Sequence, residues 1–118
     1  MSDDALLIYG ASGYSGRLIA AAALQLGLRP VLCGRDAAKL AAAAEPLGLD
    51  HRVAALGDAR QLDAALRGMA VVLNAAGPFS LSSTPVLDAC LRAGSHYLDI
   101  TGEIPVIESI AQRRPSRP

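Results

Sequence analysis

Short apolar runs alternate with longer Ala/Leu-rich segments along most of this 118-residue chain, and few folds satisfy such an alternation. The runs are residues 5–9, 30–33, 52–56, 70–74 and 95–100. Between them lie segments of helical spacing: residues 14–26, with Leu18, Ala22 and Leu26 on one face, then 37–47, 59–67 and 83–93. Asp36 stands where a cap is needed, and Gly27, Gly68 and Gly94 stand where helices stop. A last short helix is expected from about Glu103 to Gln112. Strands and helices in strict alternation build a parallel sheet covered on both faces. Right-handed crossovers then predict a doubly wound α/β sheet of about five strands, in the order 3-2-1-4-5, with helices on both faces.

Composition narrows the possibilities further. The length suits one domain, expected over residues 1–112, while the Arg/Pro-rich residues 113–118 read as a disordered tail. Aromatic residues make up only 3% of the chain, so Ala, Leu, Val and Ile must build the core. Eleven basic side chains balance eleven acidic ones, which argues against a nucleic-acid partner. No apolar run reaches the roughly 18 residues a membrane span needs, and Met1-Ser2-Asp3-Asp4 is too acidic for a secretory signal. Cys33 and Cys90 lack metal-ligand spacing and read as buried free thiols, so the expected location is the cytoplasm and no metal is expected.

The chemistry concentrates where runs give way to helices. Gly10-Ala11-Ser12-Gly13-Tyr14-Ser15-Gly16 is a G-x-x-G-x-x-G turn between the first strand and the first helix. Glycines there permit a tight turn and close approach to a pyrophosphate, whose charge meets the free N–H groups of a helix N-terminus. Ser12 and Ser15 can either donate to phosphate or cap the helix. After the second strand, where an acidic residue would accept from a ribose 2′-hydroxyl, the chain reads Cys33-Gly34-Arg35-Asp36, with Lys39 one turn later. Arg35 offers a planar fork for a 2′-phosphate, which favours NADP(H) over NAD(H), although a solvated loop arginine has the same appearance. Asp36 reads as a helix cap rather than a ribose acceptor. Asp58 can either reach the adenine amino group or cap the helix that starts at Ala59.

Asn74-Ala75-Ala76-Gly77-Pro78-Phe79 closes the fourth strand at the same sheet edge, where small residues let a cofactor pass close to the backbone. Phe79 can pack beside a nicotinamide or plug the core. The stretch His96-Tyr97-Leu98-Asp99-Ile100-Thr101-Gly102-Glu103 clusters titratable groups, and strand alternation puts Tyr97 and Asp99 on one side with His96 and Leu98 on the other. No single residue in it is assigned as the catalytic group.

Taken together, these four stretches, in this order and spacing, resemble the amino-terminal NADP-binding Rossmann domain of saccharopine dehydrogenase-like oxidoreductases, a group that includes the trans-acting enoyl reductases. The resemblance covers nearly everything from Leu6 to Ile110. It implies NADP(H) as cofactor, with Gly10, Gly13 and Gly16 at the pyrophosphate, Arg35 at the 2′-phosphate, and Ala75, Ala76, Gly77 and Pro78 on the nicotinamide side. It implies hydride transfer to or from an imine, carbonyl or activated alkene. Such proteins often continue from the Gly-Pro-Phe segment with Tyr-Gly, whereas this chain has Ser80-Leu81-Ser82-Ser83-Thr84-Pro85. They also extend into a substrate-binding domain, which is expected to be absent here. Two further readings therefore stand beside the enzyme: a non-enzymatic NADP(H) sensor or docking module, and a remnant without useful binding. An open sheet without its usual neighbours exposes apolar surface, which predicts a homodimer or larger assembly.

Overall fold

Five parallel strands form one sheet in the order β3-β2-β1-β4-β5 in the computed structural model, which describes residues 5–99. The elements run β1 (Leu6–Tyr9), α1 (Tyr14–Gln25), β2 (Val31–Gly34), α2 (Ala37–Ala44), β3 (His51–Val53), α3 (Ala59–Leu66), β4 (Val71–Asn74), α4 (Phe79–Ala93) and β5 (His96–Asp99). A single 3₁₀ turn, Glu45–Leu47, follows α2. The expected fold class and strand order are both present. The helix expected near Glu103, the tail and the acid–base candidate Glu103 lie outside the described residues.

Alternation along each strand sends side chains to two separate cores. Leu7, Tyr9, Cys33 and Val72 point to one face, where Leu62, Ala65 and Leu66 of α3 and Val86, Ala89 and Cys90 of α4 cover them. Ile8 and Leu32 point to the other, beneath Ala20 of α1 and Leu40 and Ala44 of α2. Both cysteines are buried and free. Because β1 is central and covered on both sides, it reads as an unbroken apolar run rather than an alternating one.

Local chemistry explains where the helices begin and end. The Asp36 carboxylate accepts from the Lys39 N–H at 3.0 Å, and Asp58 accepts from the Gln61 N–H at 3.1 Å, so each caps its helix. Arg52 of β3 donates to the carbonyls of Ala65 and Arg67, which caps the other end of α3. Among the boundaries that differ from the sequence expectation, two have a clear local cause. β3 ends at Val53 because its partner β2 ends at Gly34, and the Ala55 N–H turns away to the Gln61 side chain. The last described helix begins at Phe79 instead of Ser83, because the Pro78 carbonyl accepts from both Leu81 and Ser82. Pro85 therefore sits inside α4, where its ring leaves the Leu81 carbonyl without the usual helical donor.

Among the described residues, no buried side-chain polar atom lacks a partner. Tyr9, only 3% exposed, donates its hydroxyl to the Ala54 carbonyl at 2.8 Å, which ties β1 to the end of β3 across β2. Burial pushes the Tyr9 hydroxyl up from 10 to about 12, with Cys33 adding to the rise and Arg35 opposing it. Burial likewise lifts Cys33 to about 12 and Cys90 to about 11. All three hold their protons more tightly folded than unfolded, so their contribution is complete below the unfolded values and is lost as pH climbs through the folded ones. The urea midpoint should stay level to about pH 8 and fall steadily from pH 9 to 12. The Tyr9→Phe variant should be about 1 kcal/mol less stable at neutral pH, for the lost hydrogen bond. It should also lose less on alkaline titration, by roughly 2–3 kcal/mol over the two pH units of the Tyr9 rise. A midpoint unchanged to pH 11 in the parent chain would contradict this.

Candidate functional site

Where β1 ends, its neighbours end with it: Tyr9 is in register with Cys33 of β2 and Asn74 of β4. Order reverses at this point, since β2 follows β1 on one side and β4 lies on the other. A cavity of about 460 Å³ opens here, lined by Tyr9, Gly10, Ser12, Gly13, Gly34, Arg35, Leu56, the 75–78 segment and Leu81. Its size falls within the range of cofactor sites, and its place at the carboxyl ends of the strands is where open α/β sheets bind ligands.

The glycine turn forms the floor. Gly10 has φ +81°, and its N–H donates to the Cys33 carbonyl at 2.8 Å. A Cβ at Gly10 would stand 2.7 Å from Ala76, so only a glycine lets β1 and the β4–α4 loop approach this closely. Gly16 is buried against the turn, and a Cβ there would lie 2.6 Å from the Ala11 Cα and collide with the Gly10 carbonyl. Gly13 is the residue before α1, exposed, and provides no side-chain cap. The first intrahelical bond runs from the Arg17 N–H to the Gly13 carbonyl, which leaves the N–H groups of Tyr14, Ser15 and Gly16 at the open end of the helix. No acidic side chain occupies its first turn. Such an end favours an anion.

Arg35 stands across the cavity, exposed, immediately after β2. The one ion pair among the described residues, Arg92 with Asp63 at 2.8 Å, lies elsewhere, between α4 and α3. Gly34 beside Arg35 keeps that rim low, and Leu56 supplies an apolar wall beyond β3. The fourth side is pinned by side chains. Asn74, fully buried, accepts from the Ala76 N–H at 3.0 Å and donates to Ser82 at 3.0 Å and to Tyr97 at 3.3 Å. Ser82 donates to the Ala76 carbonyl at 2.7 Å, and Tyr97 donates to Asp99 at 2.9 Å. That last bond puts Tyr97 and Asp99 on one side of β5, as alternation requires. Burial pushes the Tyr97 hydroxyl to about 12; the Asn74 bond lowers it and the Asp99 carboxylate raises it, so Tyr97 is a neutral phenol at physiological pH.

The structure thus brings Gly10, Ser12, Gly13, Arg35, Ala75, Ala76, Gly77 and Pro78 to one cavity. Tyr14, Ser15 and Gly16 start the helix that faces it, without lining it. Lys39 and Asp58 do not line it either: Lys39 is exposed and donates its backbone N–H to Asp36, and Asp58 caps α3. The side chain of Phe79 lies outside the described set. Sequence reasoning missed Tyr9, Leu56 and Leu81 as lining residues, and Asn74 and Ser82 as the groups that hold Ala76. Tyr9 and Leu56 end their apolar runs, and that position at a strand's carboxyl end was the available signal. Nothing in the spacing of Asn74 and Ser82 reveals that they meet. No cluster of metal-ligating side chains exists among the described residues.

The arrangement presents an open helix end, a guanidinium and a small-residue wall around one cavity, which suits a phosphorylated dinucleotide. Known proteins agree in sequence and in shape. Residues 6–116 match the profile of the saccharopine dehydrogenase NADP-binding domain. A trans-acting enoyl reductase of Mycobacterium bovis is 35% identical over 106 residues, which is 84% of this chain and 25% of that protein. The chain therefore spans about a quarter of the curated relatives it matches. An NADPH-dependent quinone oxidoreductase of Escherichia coli superposes with a TM-score of 0.66 at 26% identity, over 76% of this chain and 32% of that one. The saccharopine dehydrogenase (L-Glu forming) of Saccharomyces cerevisiae shares the fold, with a TM-score of 0.71 at 21% identity, over 81% of this chain and 21% of that one. With a family match that runs from β1 past β5 and a glycine turn, a β2 rim and a β4 loop that converge on one cavity, the chain belongs to the saccharopine dehydrogenase NADP-binding domain family.

Proposed function

We propose that this domain holds NADP(H) across the carboxyl ends of β1, β2 and β4 and positions its nicotinamide for hydride transfer to or from an imine, carbonyl or activated alkene. The reading rests above all on the cavity that links the uncapped end of α1 to the Arg35 guanidinium at the point of strand-order reversal. Gly10, Ser12 and Gly13, with the amides of Tyr14, Ser15 and Gly16, would take the pyrophosphate. Arg35 would take the 2′-phosphate, with Lys39 adding positive charge one turn away. Leu56 would support the adenine, and residues 75–78 would border the nicotinamide. When bound, NADP(H) supplies or accepts the hydride; the chain's own residues bind, orient and exclude water. The 35% identity to a trans-acting enoyl reductase supports the reductase assignment.

Two finer features belong to the same proposal. The buried free cysteines support a reducing, cytoplasmic setting, and no helix among the described residues is long and apolar enough to cross a membrane. Leu91 on α4 and Leu98 on β5 are 72% and 50% exposed, which supports self-association.

Three measurements follow from this reading. The chain lacks tryptophan, so NADPH fluorescence can be titrated against little background. NADPH should bind more tightly than NADH, and Arg35→Ala should weaken NADPH about tenfold or more while leaving NADH unchanged, as for a lost charge-assisted contact; equal affinity for the two cofactors would remove Arg35 from the site. Asp58→Ala should cost about 1 kcal/mol of stability as a lost helix cap, with NADPH affinity within about twofold of the parent. Light scattering at micromolar protein should report a dimer or larger species, and a sharp monomer peak would count against self-association.

A further inference from the structure

Ala76 is held by side chains at both of its backbone polar groups. Its N–H is bound by Asn74 at 3.0 Å and its carbonyl by Ser82 at 2.7 Å, and Asn74 and Ser82 bind each other at 3.0 Å. Asn74 and Ser82 are 0% and 1% exposed, so water cannot replace either one. The remaining Asn74 amide hydrogen goes to Tyr97, whose own proton goes to Asp99. On its other flank Ala76 abuts the Cα of Gly10, at a distance no larger residue would allow. A closed chain of contacts therefore runs from Asp99 on β5 through Tyr97, Asn74 and Ser82 to Ala76, and from there to the glycine turn.

We infer that Asn74 and Ser82 are a positioning pair, which sets the Ala76 peptide and with it the nicotinamide half of the cavity in register with the glycine turn. Neither residue lines the cavity, so both act through Ala76. Their loop is not otherwise rigid in the way a strand is. The Ala75 N–H continues the ladder to Tyr9 at 2.8 Å, and the Pro78 carbonyl begins α4, but between them Ala76 is the only described residue with both its N–H and its carbonyl held by side chains. Polar groups in such a low-dielectric pocket have one satisfied arrangement, which is how a buried network specifies geometry. Removal of the Ser82 hydroxyl strands the Ala76 carbonyl and one Asn74 amide hydrogen together, and the 76–77 peptide is then free to turn.

This inference rests on the NADP(H) reading above, and the test separates the two. The probes are NADPH and 2′-phospho-ADP-ribose, which shares the adenosine, 2′-phosphate and pyrophosphate but has no nicotinamide. The full 118-residue chain is used, with Ser82→Ala and, as a second variant of intact shape, Tyr97→Phe. Ser82→Ala should weaken NADPH about five- to tenfold, as for one buried hydrogen bond, and leave 2′-phospho-ADP-ribose within about twofold. Tyr97→Phe should shift the same ratio in the same direction by a smaller factor. A general loss of structure would weaken both probes alike, so parallel losses in the two variants, or no loss of either probe, would overturn the positioning role. Failure of the parent chain to bind either probe would instead overturn the cofactor reading, and this inference with it.

Discussion

Three pieces of backbone meet at the carboxyl edge of the sheet with almost no side chain between them. Gly10 abuts Ala76, and Gly16 abuts Gly10 and Ala11. This close contact brings the first turn of α1 down onto β1 and draws the β4–α4 loop across it. The floor of the cavity descends from it. Gly10 and Gly16 do different work here. The first supplies a positive φ as well as space, whereas the second supplies space alone, since it is an ordinary helical residue.

Polar groups around the cavity divide into two populations. The inner set, Tyr9, Asn74, Ser82 and Tyr97, is satisfied within the protein, and burial keeps the two phenols neutral well beyond physiological pH. The outer set consists of the backbone amides that open α1 and the exposed guanidinium of Arg35. Satisfied groups hold shape and uncommitted ones remain for a ligand. An anion entering here meets positive potential without having to displace an internal partner.

Strand order, the two-faced core and the glycine turn were legible in the sequence because each rests on local rules. Period, punctuation by Gly27, Gly68 and Gly94, and the caps at Asp36 and Asp58 are short-range features that the tertiary structure kept. The start of α4 was not legible, because nothing local in the sequence marks the Pro78 carbonyl as the acceptor of the first helical bonds. Asp58 fitted two roles, and the position of the Gln61 amide shows the cap. The bond between Asn74 and Tyr97 joins residues 23 positions apart on neighbouring strands, and register, which the sequence does not encode locally, brings them together.

Arg35 differs from the rest of the cavity in one respect. Its side chain stands in solvent and fills no part of either core, whereas Gly10, Gly16 and Asn74 cannot change without disturbing their neighbours. The identity of residue 35 is thereby uncoupled from folding. Exchange of this one peripheral residue leaves the glycine turn and the β4–α4 loop packed as they are.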